Sequence, residues 1–176
     1  MKKLFILLLA GVCALILAAC AGGEIQTTSE LFPEFTATDF ESNVLTNDMF
    51  GDYDATFVNF WSNTCGSCIA EMPELEAYYQ EFKEKNINLI GVAVSAGDSD
   101  EEWEQAKNIL YEKGVTYLNL IPDTTSGFYK DFIGNITGYP ITYIVDKEGN
   151  MIGAPLIGVV AKQEEKMMKR INEIVK

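Results

Sequence analysis

Residues Trp61-Ser62-Asn63-Thr64-Cys65-Gly66-Ser67-Cys68 stand between an apolar run, residues 55–60, and a stretch of helical character, residues 69–83. An apolar strand that delivers two cysteines, three positions apart, onto the first turn of a helix places both sulfurs on one face, close enough to bond. The run before the cysteines is apolar at nearly every position, which is typical of a central strand covered on both faces. The stretch therefore predicts an α/β fold with a cysteine pair at the carboxyl end of a central strand.

The cysteine pair is better suited to chemistry than to stapling the fold. A disulfide that closes about four residues removes roughly 2 kcal/mol of unfolded-state entropy, which is little. A helix N-terminus favours an anion, so we expect Cys65 to form the thiolate that attacks other disulfides. Cys68, one turn further in, would then attack the mixed disulfide and release its partner. The alternatives are a structural bridge and half of a zinc site, which normally needs four nitrogen or sulfur ligands.

The order of apolar strand, Trp61, Cys-x-x-Cys, Glu71 and Pro73 resembles the thioredoxin-like family. It is most similar to the TlpA/ResA-type extracytoplasmic thiol-disulfide oxidoreductases, a branch related to the AhpC/TSA redoxins. The resemblance extends over most of the chain after about residue 33. It implies a thioredoxin-like fold with an N-terminal β-hairpin, for which residues 33–46 have the pattern, and a central strand–helix insertion, expected over residues 116–132.

The resemblance also implies roles for four residues near the cysteines. Glu71 would accept a proton from a thiol, although a glutamate on a helix can equally be a solvated surface residue. Trp61 would line the site and contact client proteins, or else serve as an ordinary core aromatic. Pro140, which opens an apolar strand, would be cis and face the cysteines. Tyr139 would present its backbone to an extended client segment as an added strand.

Two positions depart from thioredoxin proper. Asn59 stands where thioredoxin has a buried aspartate, and an amide cannot titrate; it would hydrogen-bond within the sheet instead. Ser67 replaces the proline between the cysteines, which adds an N–H group near the sulfurs. That donor should stabilise the thiolate and make the disulfide somewhat more oxidising.

The N-terminus has the features of an export signal. Two lysines precede an apolar run, residues 4–19, that is short for a membrane-spanning helix. Leu17-Ala18-Ala19-Cys20 resembles the bacterial lipobox, which implies that residues 1–19 are a removable signal peptide and that Cys20 carries lipid. The protein would then be held on the extracytoplasmic face of the bacterial cell membrane.

The remaining organisation follows from this signal. The polar residues 20–32 predict a flexible stalk, and residues 33–176 a single thioredoxin-like domain. Cys13 would be lost with the leader, so Cys65 and Cys68 would be the two cysteines of the folded part, which fits a catalyst of disulfide exchange in an exported protein. The formal charge of the sequence is −13, and it becomes −15 when the leader's two lysines leave. This charge disfavours nucleic acid as a partner, and attachment to an anionic membrane should depend on the lipid.

From the sequence we expect a membrane-tethered oxidoreductase that reduces client disulfides through a Cys65/Cys68 cycle, with no cofactor and no metal. The resemblance implies clients of the apocytochrome or methionine sulfoxide reductase type, an integral-membrane thiol electron donor and a monomer. The alternatives are a disulfide-forming oxidase, a peroxiredoxin-type peroxidase and a Sco-type copper chaperone. A peroxidase would need a proline where Val58 stands and an arginine beside the cysteine, whereas Arg170 is the single arginine of the sequence. A copper chaperone of this type needs histidine, and the sequence contains none.

Overall fold

The computed structural model describes residues 30–174. Within this range a seven-stranded mixed sheet has the order β2-β1-β5-β4-β3-β6-β7. Its strands are β1 Thr36–Thr38, β2 Val44–Thr46, β3 Ala55–Trp61, β4 Ile87–Ala93, β5 Asn119–Pro122, β6 Ile141–Asp146 and β7 Leu156–Ile157. The α-helices are α1 Gly66–Lys83, α2 Asp100–Glu112 and α3 Glu164–Ile174. Shorter helical segments are the 3-10 turns Asn47–Asp52, Ile133–Asn135 and Val160–Gln163 and the π-helical turn Phe128–Phe132.

Strand β3 is the centre of the sheet. It pairs in parallel with β4 and antiparallel with β6, and all seven of its residues are buried. This burial confirms the prediction of a central strand covered on both faces, since apolar side chains at successive positions point to opposite sides. The strand ends at Trp61 and α1 begins at Gly66. The cysteine motif is therefore the turn from β3 into α1.

Alternate residues of β3 face two different parts of the core. Ala55 and Phe57 pack with apolar side chains of α1 and α3, namely Leu75, Phe82, Met167 and Ile171. Val58 and Phe60 lie on the opposite face, in a cluster rich in phenylalanine that includes Phe32, Phe35, Phe50 and Phe128. Trp61, on the same face of β3 as Ala55 and Phe57, packs with Ala106 and Leu110 of α2. The three α-helices thus cover one face, and the N-terminal segment and short helical turns cover the other.

The predicted N-terminal hairpin and the predicted central insertion are both present. Strands β1 and β2 pair antiparallel, with Thr36 opposite Thr46. Strand β5 pairs in parallel with β4 and antiparallel with β1, so the inserted strand joins the hairpin to the central sheet. The helical part of the insertion is short, a π-helical turn followed by a 3-10 turn.

The boundary predicted between stalk and domain is placed too late. Phe32, which we assigned to the stalk, is 3% exposed in the phenylalanine-rich cluster. Its N–H donates to the carbonyl of Gly149 at 2.8 Å, and the N–H of Met151 donates to the carbonyl of Glu30 at 2.9 Å. Burial of this large aromatic side chain stabilises the fold. The polar residues near Phe32 in the sequence had indicated a solvated stalk instead. The folded part of the chain therefore includes residues 30–32, which we had placed in the stalk.

The predicted signal peptide, the lipidation site Cys20 and the stalk as far as residue 29 lie outside the described residues. Between residues 30 and 174, no helix has both the length and the apolar character that crossing a membrane requires.

Candidate redox site

Cys65 and Cys68 are joined by a disulfide, with their Cα atoms 5.3 Å apart. Cys65 is the N-cap residue of α1, and its sulfur accepts the backbone N–H of Cys68 at 3.2 Å. The two sulfurs differ in access, since Cys65 is half-buried and Cys68 is 1% exposed. The Cys65 sulfur thus lies at the positive end of a helix, next to an N–H donor, and is the one that an incoming molecule can reach.

Asn63 holds the turn that leads into Cys65. Its Nδ2 group donates to the backbone carbonyl of Glu102 at 2.8 Å and to the Glu102 carboxylate at 2.6 Å. Its backbone N–H donates to Ser95 Oγ at 3.3 Å. These bonds tie the turn to the first turn of α2 and to the loop after β4. Sequence reasoning did not single out Asn63, because its partners lie on a different element.

Trp61 is a buried side chain that packs in the core next to the site. Its side chain is 1% exposed and packs in the same cluster as Cys68. The indole Nε1–H donates to Asn119 Oδ1 at 2.8 Å, and Asn119 lies over Gly91, where a Cβ atom would overlap that oxygen. The prediction that Trp61 contacts clients is wrong, because its buried ring has no surface to offer. The alternative, a core aromatic, is what the structure contains.

Glu71 is buried on the helix that begins at the cysteines. It lies one turn after Cys68 on α1, and its side chain is 3% exposed. One carboxylate oxygen accepts the N–H of Val160 at 2.9 Å, and the other lies 3.4 Å from Asn59 Nδ2, which also donates to Thr142 Oγ1 at 2.9 Å. The alternative that Glu71 is a solvated surface residue is therefore wrong. Asn59 does hydrogen-bond within the sheet, as we expected.

Burial raises the pKa of Glu71 to about 7, because the apolar surroundings disfavour its charged form. The hydrogen bonds from Val160 and Asn59 oppose this change, and the charge of Glu74 adds slightly to it. Glu71 is thus a carboxyl group that exchanges a proton near neutral pH, on the same helical face as Cys68.

The Tyr139–Pro140 peptide bond is cis, as the family resemblance implied. Tyr139 is half-buried, and its side chain packs against the cluster that contains Trp61 and Cys68. Pro140 is buried, and its carbonyl accepts the N–H of Gly158 at 2.8 Å. The segment before β6 therefore contributes Tyr139 to the side chains around the cluster that contains Cys68.

Residues 28–154 match the model of the AhpC/TSA family. The chain belongs to the AhpC/TSA family. Among its relatives, the thiol-disulfide oxidoreductase ResA of Bacillus thuringiensis is 28% identical over 141 residues, which cover 79% of this chain and 75% of that protein. The thioredoxin-like protein YneN of Bacillus subtilis is 30% identical over 132 residues, 73% of each chain.

Solved structures of thioredoxin-like proteins have a similar fold. The thioredoxin domain of a thiol-disulfide oxidoreductase from Bacteroides vulgatus superposes with a TM-score of 0.64 at 26% identity, covering 80% of this chain and 96% of that one. A thioredoxin-family thiol:disulfide interchange protein from Chlorobium tepidum gives a TM-score of 0.63 at 19% identity, covering 89% and 100%. These relatives confirm the thioredoxin-like fold, the TlpA/ResA-type resemblance and the enzyme class, a thiol-disulfide oxidoreductase.

This member of the AhpC/TSA family does not bring an arginine to its cysteines. Arg170, the single arginine of the sequence, lies on α3, whose buried residue Ile171 packs with Phe57 rather than with Cys68. Val58 occupies the position where a peroxidase would have proline, and it faces the phenylalanine-rich cluster. Among residues 30–174, no group of three or more cysteine, aspartate or glutamate side chains is arranged to hold a metal ion.

Proposed function

We propose that this oxidoreductase is tethered outside the cell membrane and reduces disulfides of client proteins through a Cys65/Cys68 dithiol–disulfide cycle. The proposal rests on one observation: the two bonded sulfurs at the N-terminus of α1 differ in their exposure to solvent. The half-buried Cys65 is accessible and next to an N–H donor, whereas Cys68 is enclosed one turn further along. An attacking thiol needs the first environment, and a resolving thiol is compatible with the second.

The cycle begins with attack of the Cys65 thiolate on one sulfur of a client disulfide. A bond forms between Cys65 and that sulfur, the client disulfide breaks, and the second client sulfur leaves as a thiolate that takes up a proton. The Cys68 thiolate then attacks Cys65, which forms the Cys65–Cys68 disulfide and releases the first client sulfur as a thiol. Two electrons pass to the client. An integral-membrane thiol donor would return two electrons by the same exchange in reverse.

Glu71 would take up the proton that Cys68 loses before the second attack. The two residues are three positions apart on α1 and both are buried, so they share one face of the helix. A carboxyl group whose pKa is about 7 is matched to proton transfer at neutral pH. Its hydrogen bonds to Val160 and Asn59 hold the carboxylate in place during this transfer.

Client binding and location complete the proposal. Tyr139 and Pro140 would meet an extended client segment, which would pair with the backbone of Tyr139. Lipid on Cys20 would hold the protein, as a monomer, on the extracytoplasmic face of the membrane, where clients of the apocytochrome or methionine sulfoxide reductase type would be reduced. An oxidase would use the same sulfurs in the opposite direction.

Capture of clients in cells tests this proposal. Cys68→Ser should accumulate mixed disulfides on Cys65, because the resolving step is blocked. We expect client adducts that are recovered in the membrane fraction and that a reductant cleaves. An additional Cys20→Ala change should move these adducts to the soluble fraction. The double variant Cys65→Ser/Cys68→Ser is the matched control and should capture nothing.

Identical adducts on the single and double variants, or none on either, would contradict the proposal. The resting state of the unmodified protein distinguishes the two directions. A reductase should hold Cys65 and Cys68 mainly as thiols in growing cells, whereas a predominantly disulfide form would indicate the oxidase.

A further inference from the structure

Three aromatic side chains beside the disulfide remain only half-buried. Phe40, Trp103 and Tyr139 all pack against the cluster that contains Cys68, and Cys65 packs against the same cluster. The rings of Phe40 and Trp103 are 5.4 Å apart. We call Phe40, Trp103 and Tyr139 the aromatic patch. The aromatic patch gives the accessible sulfur an apolar border, and the proposed function assigns a part to Tyr139 but not to Phe40 or Trp103.

The loops that carry Cys65 and the aromatic patch are acidic. Residues 39–43, 62–68, 94–104 and 136–140 contain no lysine or arginine. Their carboxylates, which we call the acidic rim, are Asp39, Glu41, Asp98, Asp100, Glu101, Glu102 and Glu104. These four segments therefore carry only negative side-chain charge, and Lys107 of α2 is the cation that contacts the aromatic patch.

Several members of the rim are held in place. Glu102 accepts from Asn63, which lies two residues before Cys65, and Asp98 accepts the hydroxyl of Tyr129 at 3.3 Å. Asn63 is 5% exposed, and its Oδ1 atom is a buried acceptor without a donor. The exposed carboxylates of the rim favour a partner that brings hydrogen-bond donors and positive charge.

The chain already places one cation on this surface. The ammonium group of Lys107 lies 4.6 Å from the centroid of the Trp103 ring, in a cation–π contact. Lys107 is exposed, so it can move aside at little cost. The contact shows that the ring at the edge of the aromatic patch accepts an ammonium group.

We infer that the aromatic patch and the acidic rim together receive a client segment in which basic and apolar residues flank the reactive cysteine. This inference rests on the proposed function and adds the chemical class of the client. Charge complementarity selects this occupant, because a second copy of the chain would bring the same negative rim against the first. An acidic client segment would be repelled for the same reason.

The test compares two synthetic disulfide peptides with the reduced protein. Both carry phenylalanine beside the cysteine, and they differ in having three lysines or three glutamates. The measured quantity is the second-order rate of thiol release at low and high salt, with bis(2-hydroxyethyl) disulfide as the neutral reference. In each reaction the protein loses two electrons and two protons, becomes the Cys65–Cys68 disulfide, and leaves the reagent as two thiols.

We expect the basic peptide to react about tenfold faster than the acidic one at low salt, within the range of electrostatic steering. The ratio should fall to about twofold near 0.5 M salt, because exposed charges are then screened within a few ångströms. Neutralising three of the seven rim carboxylates by E41Q/D98N/E101Q should lower the ratio at low salt to about threefold or less. The control D52N/E84Q/E148Q changes the total charge equally at the opposite end of the sheet, and should leave the ratio within about twofold of the parent.

A separate variant tests the contribution of the aromatic patch. Phe40→Ala should slow both phenylalanine-containing peptides more than it slows the neutral reference.

Equal rates for the two peptides, or equal losses in the two triple variants, would overturn the inference while leaving the proposed function intact. A dimer that buries the aromatic patch in solution would overturn it as well. No reaction with the neutral reference would instead refute the proposed function. The salt dependence of the unmodified protein decides between these outcomes even if the rim variant fails to fold.

Discussion

Replacing Cys65 with serine is expected to lower the rate of disulfide exchange by about a thousandfold or more, whereas Cys68→Ser keeps the first step and stops at the mixed disulfide. The reason is access. Cys65 is half-buried and accepts an N–H donor at the helix N-terminus, but the Cys68 side chain is 1% exposed. Stopped-flow measurement of thiol release from bis(2-hydroxyethyl) disulfide, followed by mass spectrometry of the intact protein, distinguishes the two variants.

Ser67→Ala is the matched control for these substitutions. Ser67 is exposed and its Oγ atom lies 3.6 Å from the Cys65 sulfur, so the change perturbs the same turn but keeps both thiols. Its rate should stay within about threefold of the parent, because one long, solvent-exposed hydrogen bond is worth little in water. The assignment of roles would be overturned if Cys68→Ser were as inactive in the first step as Cys65→Ser, or if adducts formed on Cys68.

Replacing Glu71 with glutamine is expected to remove a large pH dependence of stability. The folded-state pKa of Glu71 is raised to about 7 from an ordinary value of 4.5, chiefly by burial. Its contribution is therefore fully present below pH 4.5 and is lost as the pH rises through 7. The difference between the two pKa values corresponds to about 3 kcal/mol. The free energy of unfolding of E71Q, minus that of the parent, should accordingly rise by about 3 kcal/mol from pH 4.5 to pH 8.

Urea unfolding at pH 4.5, 6 and 8, with the disulfide intact, measures this difference. Subtracting the parent's free energy of unfolding from that of E71Q at each pH cancels the contribution of all groups that titrate equally in both proteins. Glu84→Gln provides the control, because Glu84 is exposed at the end of α1 and its removal should leave the difference flat. Parallel curves for E71Q and the parent would show that the Glu71 carboxyl is solvated and titrates normally.

The parts of the fold that the sequence predicted are those encoded by short-range patterns. The apolar run of β3, the cysteine spacing and the helix that follows are neighbours in the chain, and alternation of apolar residues defined the N-terminal hairpin. The cis bond at Pro140 followed only from family resemblance, because local sequence alone favours trans.

The burial of Glu71 and Trp61 could not be predicted in the same way. Glu71 is enclosed because Val160 and Asn59 supply its hydrogen-bond partners, and Val160 lies 89 residues away in the sequence. Trp61 is held by Asn119, 58 residues away, in a space that exists only because residue 91 is glycine. Such contacts depend on the assembled sheet rather than on spacing along the chain. The aromatic patch has the same origin, since Phe40 and Trp103 meet only when the hairpin packs beside α2.

The most direct test of the central claim is the alkylation of the reduced protein by iodoacetamide, mapped to each cysteine as a function of pH. Two sulfurs with unequal environments should react unequally. We expect Cys65 to be modified first, with half-maximal rate at a pH below the ordinary thiol value of about 8.5, and Cys68 to be protected. Equal rates at Cys65 and Cys68, or no reaction at Cys65 below that pH, would contradict the account.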